Sequence, residues 1–351
     1  MATTTDNGSR TTFMEEVRDA VTARAALLMI GVLALTALFI ASYTGAFHSP
    51  KPRDVPVAVV APAQAGGQLT DRLGKLPGSP LDPRTAPSEA DAVRQIKERK
   101  IDAALVVDPR GSTDKLLLAT GSGASLSQAV ETVLTRAEKE QKRTVRTQDV
   151  APADPDDARG LSSFYLVIGW CVGGYLCAAI LAVSYGARPV NTKRAVIRLG
   201  ALAVYSVLTG LAGAVVVGPV LGALPGSVAA LWGLGALLVF AVGATTFAFQ
   251  GIAGIIGIGL TILVVVIAGN PSAGGAYPYP LLPDFWRAIG PALPPGAGTW
   301  TARSIAYFHG NAVTGPLLVL CAWAVVATVL TLVFASLRKG RETINRSEVV
   351  Q

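Results

Sequence analysis

The stretch LSSFYLVIGWCVGGYLCAAILAVSYG, residues Leu161–Gly186, contains no Asp, Glu, Lys, Arg or His. It exceeds the ~20 apolar residues that a helix needs to cross about 30 Å of hydrocarbon. Five more stretches share this character: Ala25–Ala46, Leu199–Gly222, Val228–Ala248, Ile252–Ala268 and Ala312–Leu337. A lipid bilayer admits only helices and closed barrels as spanning structures. We therefore predict a polytopic α-helical membrane protein with six transmembrane helices.

The charge of the chain is distributed in a way that predicts its topology. The 351 residues are 51% hydrophobic and 15% charged, with a formal net charge of +7. The loop Ala187–Arg198 carries four basic residues and no acid, and a second basic cluster lies in the tail 338–351. An excess of Lys and Arg in short loops marks the cytoplasmic face. The prediction is a multi-pass protein of the cell membrane with both termini cytoplasmic, and no nucleic-acid partner.

The polar segment 47–160 separates the first two apolar stretches and is predicted to be an extracytoplasmic α/β domain. Its apolar runs predict strands, and Ser88 followed by Glu89 and Asp91 predicts a capped helix. The predicted order is strand, helix, strand, strand, helix: Pro56–Pro62, Ser88–Lys100, Ile101–Pro109, Lys115–Thr120 and Ser125–Thr147. We expect a small mixed sheet that folds independently of the membrane part.

The remaining segments complete the predicted layout. Residues 1–24 are predicted to form a cytoplasmic amphipathic helix, and 25–46 the first transmembrane helix, which is too long for a cleaved signal peptide. Residues 161–337 form a five-helix transmembrane domain. Within it, 270–311 is rich in proline and aromatic residues, a composition typical of short helices at the outer interface. Residues 338–351 form a cytoplasmic basic tail.

The sequence lacks the patterns of common catalytic and nucleotide-binding sites. It has no phosphate-binding loop of the type GxxxxGK[ST], and His48 and His309 have no predicted metal-ligand partners. Ion-coupled carriers usually keep ionisable groups at mid-membrane, whereas these apolar stretches have no acidic or basic residue. We predict no enzymatic activity, no catalytic, cofactor or metal site, and no proton relay inside the bilayer.

In its layout the whole chain resembles the permeases of type-2 ABC exporters. The likeness is to the branch with a large extracytoplasmic domain, which includes phage-infection-protein-like and drug-resistance membrane proteins. Within the insert, it is carried by VPVAVVAP, the helix–strand unit Ala90–Pro109 and KLLLATGSGASLSQAVETVL (Lys115–Leu134). Near the end it is carried by Asn270–Phe308, where the best matches are Pro283, Trp286, Pro291, Pro294 and Arg303. Many relatives have an Asn-Glu or Asn-Asp pair after the first strand, where this chain has AQAGG.

The resemblance implies a permease subunit that works as a homo- or heterodimer with a separate ATP-binding subunit. The implied docking residues for that subunit are Arg188, Asn191, Lys193, Arg194 and Arg198, and the implied outer-gate segment contains the five residues matched in Asn270–Phe308. Topology alone also explains the basic residues, and the two roles can coexist. A nearly uncharged interior favours an amphipathic or lipid-like cargo. The alternative is a non-transporting scaffold or surface receptor whose extracytoplasmic domain binds a partner. Co-purification with an ATP-binding protein distinguishes the two.

Overall fold

The computed structural model describes residues 12–13, 22–189 and 191–349. The predicted amphipathic helix of residues 1–24 lies almost wholly outside the described residues, as do the side chains of the basic tail 338–351. The first described helix, α1 (Ala23–Phe47), is capped by Thr22, whose hydroxyl accepts from the amide of Ala25. Most of α1 is exposed, as expected for a helix surrounded by lipid.

A five-stranded mixed sheet follows α1 along the chain. Its strands are β1 (Val55–Val60), β2 (Leu81–Thr85), β3 (Ala103–Val106), β4 (Thr113–Leu118) and β5 (Thr144–Asp149). The spatial order is β2-β1-β3-β4-β5, and only the β3–β4 pair is antiparallel. The helices α2 (Ala63–Gly74), α3 (Glu89–Lys97) and α4 (Ala124–Glu140) supply the connections that parallel strands need. We call residues 55–149 the α/β unit.

The predicted strands at β1, β3 and β4 and the cap at Ser88 are confirmed, whereas the predicted helix Ser125–Thr147 is wrong at its end. The hydroxyl of Ser88 accepts from the amide of Asp91 at 3.1 Å. The last helix of the unit stops at Glu140, and the chain then reverses through Lys142, which has a left-handed φ of 57°. Glycine is the usual residue after the last turn of a helix. The run AEKEQKR has no glycine and favours a helix, so the sequence does not indicate the turn.

Leu281 and Phe308, which lie far along the chain from the strands, complete the core of the α/β unit. Leu281 packs in the cluster on one side of the sheet, with Val57, Leu105 and Leu116. Phe308, which is 1% exposed, packs in the cluster on the other side, with Ala58 and Ile96. The independent folding of this unit stays a prediction, and both faces of its sheet pack against a residue of the segment 270–311.

The other helices form a bundle around a central apolar helix. They are α5 (Ser162–Tyr185), α6 (Thr192–Val215), α7 (Val228–Ala253), α8 (Ile256–Ser272), α9 (Asp284–Ile289), α10 (Pro294–Tyr307) and α11 (Thr314–Val349). Most of α7 is buried. Small residues let its neighbours approach: a Cβ on Gly174 would lie 2.7 Å from the carbonyl oxygen of Val239, and one on Gly210 would lie 2.6 Å from the amide of Ala236.

Among the described residues, five helices are long and apolar enough to cross a membrane: α1, α5, α6, α7 and α11. The stretch predicted as another span, Ile252–Ala268, is divided by a turn at Gly254, which has a left-handed φ of 64°. Its first residues end α7, and the rest forms the shorter apolar helix α8, which is π-helical over Ile262–Gly269. The segment 270–311 then forms short helices, several of which begin at prolines, as its composition predicts.

Candidate functional site

A cavity of about 250 Å³ lies where the α/β unit meets residues 270–311. The α/β side of its wall includes Arg99, Lys100 and Asp102, between α3 and β3. The opposite side includes Tyr279 and two residues of α10, Trp300 and Arg303, and further lining residues are Arg53, Asp54, Ser122 and Arg287. We call this space the junction cavity. Seven of its lining residues have charged side chains.

Arg99 joins the α/β unit to α10. Its guanidinium carbon lies 3.5 Å from the centre of the Trp300 ring and 4.9 Å from that of Phe308. Its Nη1 donates to the carbonyl oxygen of Trp300 (2.9 Å) and to the hydroxyl of Ser304 (2.7 Å). A left-handed φ of 58° at Arg99 turns the chain from α3 toward β3. Burial, and then the nearby charge of Arg303, lowers the pKa of Arg99 to about 9.

Arg303 holds the turn that follows α8. It is 3% exposed and donates to the carbonyl oxygens of Gly274 (2.6 Å), Gly275 (2.7 Å) and Gly160 (3.0 Å). Burial lowers its pKa to about 10, so the guanidinium stays charged near neutral pH. The acceptors of both Arg99 and Arg303 are neutral oxygens. Buried charges are usually balanced by an opposite charge, and here the carboxylates of Asp102 and Asp157 act on Arg99 and Arg303 without a direct hydrogen bond to either.

The polar groups around these two arginines have incomplete partners. Burial raises the pKa of Asp102 to about 6, and the charge of Arg99 only partly opposes that effect. The ring of Tyr279 stacks on Trp300 at 6.0 Å between centroids, and burial raises its pKa. Among the described residues, Oη of Tyr279 and Nε of Arg303 are buried without a hydrogen-bond partner. Buried polar atoms without partners are rare in folded proteins.

Tyr307 fastens the same junction to the start of α5. Its hydroxyl donates to Asp157 Oδ2 at 2.6 Å, and Asp157 Oδ1 accepts from the amide of Ser162 at 2.8 Å. Burial, and then this hydrogen bond, raises the pKa of Tyr307. The α/β unit, α5 and α10 are thus connected by polar side chains within a few residues of the junction cavity.

No protein-family model and no curated protein matches this chain.

Of the five predicted outer-gate residues, only Arg303 lines the junction cavity. Pro294 is buried at the first position of α10, and Pro283 precedes α9. Trp286 packs edge-on against Phe285, and Pro291 is exposed. The structure therefore places the five residues along one segment without bringing them together around a single opening.

The predicted docking residues lie at one end of α6, and part of the cluster supports the loop itself. Asn191 caps α6 by accepting from the amide of Arg194 at 2.9 Å. Arg198 is buried and donates to the carbonyl oxygen of Gly186 (2.9 Å). Arg188 donates to the carbonyl oxygen of Ile252 (2.7 Å), next to the turn between α7 and α8. Lys193 and Arg194 are the cluster members with exposed side chains at the start of α6.

An apolar groove of about 470 Å³ lies between α5 and α6. Its wall includes Tyr165, Trp170 and Gly213, and Ser162 lies at its end nearest the α/β unit. Ser162 is two residues from Gly160, whose carbonyl oxygen accepts from Arg303. An apolar groove and a charged cavity therefore lie near the same end of α5.

Proposed function

We propose that this chain is the membrane permease subunit of an exporter that is driven by a separate ATP-binding subunit and moves an amphipathic or lipid-like compound. The observation that carries the proposal is the position of α8. This helix begins beside the basic loop, at the turn contacted by Arg188, and ends beside the junction cavity, where Gly274 and Gly275 accept from Arg303. A movement of the basic loop could therefore be transmitted to the junction cavity through one continuous helix.

The proposal includes α8 as a sixth crossing. The apolar helix Ile256–Ser272 has 17 residues, the lower end of the ~17–25 that cross the hydrocarbon core. Its two ends lie at opposite ends of the bundle, as just described. An even number of crossings, with the basic loop at the cytoplasmic face, supports cytoplasmic termini and an extracytoplasmic α/β unit.

The proposed energy source and cargo follow from the chemistry of the helices. The apolar stretches have no acidic or basic residue that would couple transport to an ion gradient. An ATP-binding partner at the exposed Lys193 and Arg194 supplies the energy instead. The apolar groove between α5 and α6 suits an acyl chain or a similar apolar group.

Co-purification and transport measurements test the proposal. The tagged chain, isolated from its native membranes in mild detergent, should carry a protein that is labelled by azido-ATP and hydrolyses ATP. The double substitution Lys193→Gln and Arg194→Gln should remove that protein, because these two side chains are exposed and their loss leaves the loop contacts of Arg188 and Arg198 in place. The matched control is Arg136→Gln, which removes an exposed charge from the α/β unit.

Two results would count against ATP-driven export. One is a chain that inserts normally and binds a partner only through its α/β unit, which would favour a scaffold or receptor. The other is export that stops when the proton gradient is collapsed although ATP remains high.

A further inference from the structure

We propose that the junction cavity binds a phosphate-like oxyanion, either free in solution or as the head group of an amphiphile. This inference does not depend on the ATP-binding partner. It concerns a site on the α/β unit and residues 270–311, and it is tested by binding alone.

The charge balance of the cavity wall carries the proposal. Five basic residues line the cavity and two acidic ones, Asp54 and Asp102. Two of the basic residues have carboxylate partners: Arg287 Nη1 lies 3.3 Å from Asp54 Oδ2, and Lys100 Nζ lies 2.7 Å from Glu98 Oε2.

The remaining charges do not cancel. They are the guanidinium groups of Arg53, Arg99 and Arg303. Opposing them are the lining carboxylate of Asp102 and the buried carboxylate of Asp157, whose charge acts on Arg303 from outside the lining. The hydrogen bonds of all three arginines go to neutral oxygens, and that of Arg53 Nη1 goes to the carbonyl of Leu282 at 2.9 Å. A net positive charge in a partly enclosed site attracts an oxyanion.

The size of the cavity limits the ligands that it can hold. A volume of about 250 Å³ is below the ~300 Å³ at which pockets for drug-sized ligands begin. The cavity therefore suits a phosphate with a small substituent, or the head group of a longer molecule whose apolar part lies outside it.

The position of the apolar groove is a reason to test lipid head groups as well as soluble oxyanions. The apolar groove between α5 and α6 ends at Ser162, near the carbonyl of Gly160 to which Arg303 donates. An amphiphile with its phosphate near Arg303 has an apolar surface close by.

The test uses the full chain in phosphatidylcholine nanodiscs, in chloride buffer of constant ionic strength at pH 8. Calorimetric titrations use inorganic phosphate, monomeric dihexanoyl phosphatidic acid and, as the neutral-head control, dihexanoyl phosphatidylcholine. Saturable binding of inorganic phosphate would identify a soluble oxyanion, and binding of phosphatidic acid alone would identify a head group. Either result supports the proposal, whereas binding of neither overturns it.

Three variants assign the binding to the cavity. Arg99→Gln should weaken binding about tenfold or more, because a charge-assisted hydrogen bond or a nearby charge is lost. Asp102→Asn should strengthen it by roughly tenfold, because a negative charge is removed from the wall. Lys97→Gln, on α3 outside the cavity lining, should leave it unchanged.

Asp102→Asn keeps the test decisive if Arg99→Gln fails to fold. Affinity that does not rise in Asp102→Asn would show that the anion binds elsewhere.

Discussion

Two carboxylates of the α/β unit, Asp102 and Asp114, should affect stability in opposite directions. Burial raises the pKa of Asp102 from 3.8 to about 6, so its charged form destabilises the folded protein. At ~1.4 kcal/mol per pH unit, this interval corresponds to about 3 kcal/mol. We expect Asp102→Asn to raise the free energy of unfolding by up to that amount at pH 8, with less gain if the side chain retains water from the cavity.

The pH dependence follows from the sign of the pKa change. Between about pH 4 and pH 6 the folded protein holds the proton on Asp102 while the unfolded chain has released it. The free energy of unfolding therefore falls as pH rises through this window. In Asp102→Asn that fall should disappear, so the variant and the parent protein should be most alike near pH 4 and differ most above pH 6.

Asp114 is the matched control within the same unit. Its side chain is fully buried and accepts from Arg143 Nε and Nη2, both at 2.6 Å, and from the amide of Asp108 at 2.9 Å. Burial alone would raise the pKa of Asp114, but these hydrogen bonds and the charge of Arg143 lower it overall. Its ionised form stabilises the folded protein, and that stability is lost as pH falls through the folded pKa. Asp114→Asn should therefore destabilise the protein at neutral pH by roughly 3 kcal/mol.

The assay is thermal unfolding of the detergent-solubilised chain at pH 4 and pH 8, followed by tryptophan fluorescence. The expected result at pH 8 is a higher melting temperature for Asp102→Asn and a lower one for Asp114→Asn. A lower melting temperature for Asp102→Asn at pH 8 would refute the reasoning, because it would show that the Asp102 carboxylate has a stabilising partner.

Three further predictions concern packing and topology. Phe308→Ala should lower the free energy of unfolding of the α/β unit by about 3–5 kcal/mol, whereas Phe285→Ala, at a 62% exposed position, should leave protease resistance of that unit unchanged. Gly210→Ala should destabilise the bundle by about 1–3 kcal/mol in a melting assay, because its Cβ would lie 2.6 Å from a backbone nitrogen; Gly200→Ala meets no atom within 4 Å and should not. Lys193→Cys in a cysteine-free background should react with a membrane-permeant maleimide in intact cells and not with an impermeant one. Labelling by the impermeant reagent would reverse the proposed orientation.

The helices of the membrane part could be predicted because their signal is local. Uninterrupted apolar composition locates the five helices of the described residues that are long enough to cross a membrane, to within a few residues at most ends. The division of the stretch Ile252–Ala268 could not be predicted, because Gly254 is one of several glycines there and only its left-handed φ identifies the turn. Edge strand β2 was missed because LDPRT has no apolar alternation and contains a proline, which edge strands tolerate.

The junction cavity could not be predicted because its residues are far apart in the chain. Arg99 contacts Trp300 across 201 residues, and no periodicity relates the two. Arg99 also occupies a left-handed turn without being glycine, so even the local bend has no visible signal. Arg303 was included among the predicted gate residues through the family resemblance, and the structure gives it neighbours that the resemblance did not supply: Gly160 and the cavity-lining Tyr279.

The late position of Leu281 and Phe308 has a consequence for biosynthesis. The last strand of the sheet ends at Asp149, so the ribosome must add roughly 160 residues before Phe308 can reach its place in the core. At 5–20 residues per second this interval lasts about 10–30 s. During that time both faces of a newly made sheet lack an apolar residue that they bury in the finished protein. The nascent chain should be most vulnerable to proteases and most dependent on chaperones in this interval, and a ribosome stalled before residue 281 should leave the unit open to degradation.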